Sequence, residues 1–158
     1  MYINAAVSLK DDFCFINFKK QKEMTDQKNN KAMNIIIWIA QVLLAALFIM
    51  AGLMKATQPA EALSEALPWV TSTPIAMVRF IGMSEILGAF GLILPSLLRI
   101  KPSLTVYAAS GLVVVMVLAS IFHASRGEFS AIGMNVILGG IAAFIAWGRS
   151  KKPSIPAK

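Results

Sequence analysis

Arg79-Phe80-Ile81-Gly82-Met83-Ser84-Glu85-Ile86-Leu87-Gly88-Ala89-Phe90-Gly91-Leu92-Ile93-Leu94-Pro95 is the stretch that decides the fold. It is apolar enough to enter a bilayer, yet it carries an arginine and, near its middle, a glutamate. A charge at bilayer depth costs about 2.5–3.5 kcal/mol even on the lower estimates. Glu85 must therefore face protein or trapped water beside a partner. The rest of the chain has to supply the other helices of that package.

Working outward, the chain is 57% hydrophobic and 15% charged, against an apolar share of about 45–50% in soluble domains. The excess is gathered into runs, which is the membrane pattern. A net charge of +7 would suggest nucleic acid in a soluble protein. Here the basic residues flank apolar spans, which argues against a nucleic-acid partner. The single cysteine, Cys14, lies outside every span and cannot form an internal disulfide or a cysteine metal cage. With one histidine, His123, an all-protein haem or zinc site is not expected.

Residues 1–32 differ in character from the rest of the chain. They hold six lysines and four acids, and the first long apolar run begins only at Ile35. They read as a disordered basic arm, with contact to anionic lipid as the functional alternative. Met33-Asn34-Ile35-Ile36-Ile37-Trp38 looks like a natural chain start, so the arm is also read as an upstream extension, with Met1, Met24 and Met33 as candidate starts.

Four spans are expected, at about 35–54, 75–94, 104–122 and 129–148. Each is long enough to cross a hydrocarbon core of about 30 Å at 1.5 Å per residue. Gln41 is the strongly polar residue of the first span. Lys55, at its end, either snorkels to the headgroups or turns inward to a carboxylate. Residues 60–67 suggest a short interfacial helix closed by Pro68, with Trp69 at headgroup depth. The second span is expected to stop at Pro95, and Pro102 precedes the third. Gly82, Gly88, Ala89 and Gly91 let neighbouring helices approach closely, as do Gly139, Ala142 and Ala146 beside Asn135. Residues 150–158 form a basic tail.

Twelve of the fifteen basic residues fall in the arm, the loop between spans two and three, and the end of the chain from Arg149 to Lys158. The positive-inside rule assigns that side, and both termini, to the cytoplasm. The fold class is thus an all-α membrane protein: an antiparallel bundle of four transmembrane helices in the cytoplasmic (inner) membrane. Lys55, Arg79, Glu85, His123, Glu128 and Asn135 then fall in the outer half and define a polar pocket that opens outward. Lys55 or Arg79 is the expected counter-charge for Glu85. Arg79 and Glu85 lie about 120° apart on one helix, so an interhelical pair is favoured. The plain structural reading of the same cluster is a network that holds the helices in register.

From Trp38 to about Arg149 the chain resembles the DoxX-like family of small four-helix membrane proteins. The residues that carry the likeness are Ala51-Gly52-x-x-Lys55, Gly82-x-x-Glu85-x-x-Gly88-Ala89-x-Gly91-x-x-x-Pro95, Ala119-x-x-x-His123 and Arg126-Gly127-Glu128. The resemblance implies the fold and the membrane address. It also implies an association with membrane redox complexes, and a quinone as the cofactor such a role would need. No specific oxidoreductase activity carries over, because the chain lacks paired cysteines and a haem-ligand pair. Three functions compete. The first is an accessory subunit beside a redox partner, without stand-alone catalysis. The second is a small-molecule carrier or channel acting as a homo-oligomer, and the third is a purely structural membrane protein.

Overall fold

The computed structural model of the protein describes residues 2–101 and 103–151. Met1, Pro102 and residues 152–158 of the expected tail lie outside the described residues. Helix α1 spans Tyr2–Thr57, α2 Ala60–Ala66, a 3₁₀ turn Pro68–Ser72, α3 Ile75–Leu98, α4 Ser103–Ser125 and α5 Phe129–Lys151. No strand occurs among the described residues.

The chain divides into two compact units, Met1–Ile36 and Ile37–Lys158. The described residues of the first, from Tyr2 on, belong to α1. No glycine occurs before Gly52 and no proline before Pro59, and Lys, Gln, Glu, Ala and Met rank among the better helix formers. The described side chains from Asn17 to Met33 are exposed.

The second unit is the bundle. Four helices are long and apolar enough to cross a membrane: Lys19–Thr57, Ile75–Leu98, Ser103–Ser125 and Phe129–Lys151. The first contains the expected span 35–54, and the other three match the expected starts to within a residue. In the second unit α1 is antiparallel to α3, with Gly52 against Gly82 and Gln41 against Leu92. Helix α3 runs antiparallel to α4, with Gly88 against Leu112 and Gly91 against Ala108. Helix α5 lies along α4 and closes on α1, where Gly148 meets Ile37. The core runs through Leu44, Phe48, Ala89, Leu92, Leu112 and Ile145.

Burial is inverted relative to a water-soluble protein. Phe80 and Leu87 are 72% and 67% exposed, while Gln41, Lys55, Glu85, Ser96, Thr105 and Arg149 are buried. Large apolar side chains ring the outside because hydrocarbon, not water, is the solvent there, and polar groups must find partners within. The chain is an integral membrane protein.

One local expectation is corrected. Helix α3 does not stop at Pro95 but passes through it to Leu98. Proline has no N–H for the carbonyl four residues back, which in soluble helices is disruptive. In a membrane bundle neighbouring side chains can attend to the disturbed backbone. Here the Gln41 amide donates to the Leu92 carbonyl at 2.6 Å, beside the interrupted turn. Trp69 is buried with Leu63, Val70 and Val78 under the segment that joins α1 to α3. Ala60–Ala66 and the 3₁₀ turn thus have a small apolar core of their own, which caps that end of the bundle. We call it the cap end, and the end with the α3–α4 turn the terminal end.

Candidate functional site

At the cap end, α1 and α3 touch backbone to backbone. A Cβ on Gly52 would lie 2.7 Å from the Gly82 carbonyl oxygen, and one on Gly82 would lie 2.8 Å from that of Gly52. Only glycine allows this approach. One turn further along α1, Lys55 faces Glu85, and its Nζ donates to both carboxylate oxygens, at 2.7 and 2.8 Å. Lys55 is 9% and Glu85 5% exposed.

The pairing follows from helix direction. Side chains on a helix lean toward its N-terminus. Lys55 therefore leans back into the bundle from the end of α1. Glu85, on a helix running the other way, leans up toward the cap. Of the two readings of Lys55, the inward one holds, and Lys55 rather than Arg79 is the counter-charge. Arg79 instead closes the end of α1: its Nη1 donates to the Lys55 carbonyl at 2.6 Å and its Nη2 to the Gln58 carbonyl. A guanidinium at a helix C-terminus satisfies carbonyls that have no partner in the helix and meets the negative end of its dipole.

A second cluster sits where α4 turns into α5. Gly127 adopts φ +72°, a left-handed conformation that favours glycine, and the Glu128 N–H returns to the His123 carbonyl at 3.0 Å. This tight turn sets the Glu128 carboxylate between His123 Nδ1 at 2.6 Å and Arg126 Nε, which donates to it at 2.8 Å. The hydrogen bonds from Arg126 and then His123 hold the Glu128 carboxyl below its ordinary range. Arg126 Nη1 also donates to Ser72 Oγ at 2.6 Å, tying the turn to the cap. Trp69, Phe122 and His123 meet edge-on, with centroids 5.5–6.3 Å apart.

The structure thus joins Lys55, Arg79 and Glu85 in one set, and His123 and Glu128 in another. Asn135 bonds to neither; its Nδ2 is buried with no hydrogen-bond partner among the described residues. No group of three His, Cys, Asp or Glu suited to a metal ion occurs among the described residues.

Residue-by-residue reading missed a third network, at the terminal end. Gln41 is fully buried, accepts from Arg149 Nε at 2.7 Å, and donates to the Leu92 carbonyl. Arg149 is 7% exposed and lies over the Trp38 ring, 5.2 Å from its centroid. Ser96 and Thr105 share a buried hydroxyl hydrogen bond of 2.8 Å between α3 and α4. The available signal was Gln41 itself, a polar residue in an otherwise apolar span that needs a partner at equal depth. Fourteen residues of α1, about 21 Å, separate Gln41 from Lys55. The interval is filled by Leu44, Ala45 and Phe48, packed in one core with Ala89, Leu112 and Met116.

A sequence model of the DoxX-like family matches residues 39–145, which takes in all three networks except Trp38 and Arg149. No curated protein and no solved structure matches the chain.

Proposed function

Because the chain belongs to the DoxX-like family, we propose that it is an accessory subunit of a membrane redox process, with no stand-alone catalysis. It sits in the cytoplasmic (inner) membrane with both termini in the cytoplasm. The Lys55–Glu85 pair carries a proton or receives a quinone headgroup beside a redox partner subunit, with Arg79, His123, Glu128 and Asn135 as further polar groups of the same outward-facing half. The orientation is supported by the concentration of basic residues in the amino-terminal arm, the α3–α4 turn and the tail.

One observation carries the reading: an ion pair with both carboxylate oxygens engaged, almost wholly withdrawn from solvent. Such a pair is a poor way to hold helices together, because apolar replacements of both partners are often neutral or stabilising. The Gly52–Gly82 contact already brings α1 and α3 together. A charge placed there at that cost points to chemistry, since ionisable groups within membrane spans are commonly proton or ligand sites. The carrier reading fits less well. The apolar layer between the two ends gives a single protomer no polar route along its core, so transport would need a second copy.

The test is purification in mild detergent of wild type and Glu85→Gln. Co-purification of a quinone or a redox partner with wild type, reduced in the variant while the bundle stays folded, is the expected result. Equal quinone and partner content, with an unchanged growth phenotype, would leave the carboxylate a packing role.

A further inference from the structure

Residues 135, 142 and 149 recur every seven positions on α5, and so share one helical face. Ala142 and Arg149 on that face are buried, so Asn135 also points into the bundle. Gly139 lies against Met116: a Cβ on Gly139 would stand 3.3 Å from the Met116 Cβ. One turn nearer the cap, the same antiparallel register sets Asn135 opposite Ser120. The Ser120 hydroxyl is turned back on its own helix, donating to the Met116 carbonyl at 2.8 Å.

The interior of this half is also less closed. Toward the terminal end the inward positions Ala109, Leu112, Ala142 and Ile145 are buried, whereas toward the cap Ala119, Ser120, Ile132, Asn135 and Leu138 are only half-buried. A buried N–H₂ without an acceptor calls for an explanation, an unseen partner among them. The atom that answers it is a hydrogen-bond acceptor. The apolar neighbours Ala119, Ile132 and Leu138 favour an acceptor carried on a neutral, apolar molecule.

We propose that the Asn135 carboxamide is a binding position for the neutral carbonyl group of a membrane-dissolved molecule, entering between the cap halves of α4 and α5. A quinone and the ester carbonyl of a lipid chain share this chemistry. The quinone arm rests on the functional reading above; the lipid arm does not.

The experiment follows the Asn135 side-chain amide by NMR in the full chain labelled with ¹⁵N-asparagine. The other asparagines all lie at or before Asn34, and Asn135→Leu identifies the signal by its loss. If that variant does not fold, relaxation by a spin label at the lipid-chain end picks out the same signal. The protein is placed first in nanodiscs of ether-linked lipid, which has no ester carbonyl. A downfield shift of one Nδ2 proton on adding decylubiquinone assigns the position to a quinone carbonyl. The same shift on exchange into ester-linked lipid assigns it to lipid, and leaves the redox reading to be judged by Glu85→Gln alone. No shift in either arm overturns the proposal, as does a proton already downfield in ether lipid, which would give the acceptor to the protein itself.

Discussion

The two ends of the bundle solve the same problem differently. At the cap end a cation and an anion on opposed helices cancel each other, brought together by a glycine contact and by the lean of their side chains. At the terminal end, neutral Gln41 binds two groups at once, a guanidinium and a backbone carbonyl about one turn before a proline. The first arrangement depends on charge balance and the second on hydrogen-bond count. Removing one member should therefore hurt the cap end more, and removing both members of the ion pair should hurt little.

The largest effect is expected for Glu85→Ala, which leaves the Lys55 ammonium buried without its carboxylate. Loss of about 3–5 kcal/mol is expected, read as a lowered melting temperature in detergent. The double variant Lys55→Met/Glu85→Leu should recover most of it; if it melts as low as the single variant, the ion pair is a stabilising element and the contrast between the ends fails. Next comes Gln41→Leu, which removes the donor to Leu92 and the acceptor for Arg149 and should cost roughly 1–3 kcal/mol. Gly82→Ala should cost about as much, in the range of about 1–3 kcal/mol, because its Cβ meets the backbone oxygen of Gly52, which cannot move aside as a side chain could. Cross-linking between α1 and α3 through cysteines at exposed Leu53 and Met83 would report the separation directly.

The smallest effect is a pH dependence at Glu128. Its folded carboxyl lies below the ordinary range because Arg126 and His123 bond its ionised form. The stabilisation is therefore complete above the ordinary carboxyl value, and is lost as pH falls past that value and on through the lower folded one. Glu128→Gln should remove this acid-side dependence while leaving the neutral-pH melting temperature close to wild type. The group sits in a half-open turn, so only a slight change is expected.

Much of this was legible from residue order. Apolar runs long enough to span a membrane located the four helices, and the depth of Glu85 demanded a partner, with Lys55 among two candidates. The choice between Lys55 and Arg79 needed helix direction, which sets where each side chain leans. The Gln41–Arg149 bond was not legible for a different reason. Arg149 comes directly after Trp147-Gly148 and reads as one more flanking charge, and only the packing of α5 against α1 at Gly148 turns it inward. Pro95 misled because its usual consequence is a helix end, and the amide beside Leu92 belongs to a residue fifty-one positions earlier. Asn135 was read as part of a close-packing face of the fourth span, but its lack of an acceptor is a property of packing alone.

The lean of Lys55 toward Glu85 also bears on how the protein is made. The carboxylate is encoded thirty residues after the ammonium, so a ribosome delivers the first helix before the anion exists. Until α3 emerges, that lysine can rest with its head among phosphates at the bilayer boundary. Its descent to the final depth then awaits the arrival of the third helix, and biogenesis of the two segments is a joint event.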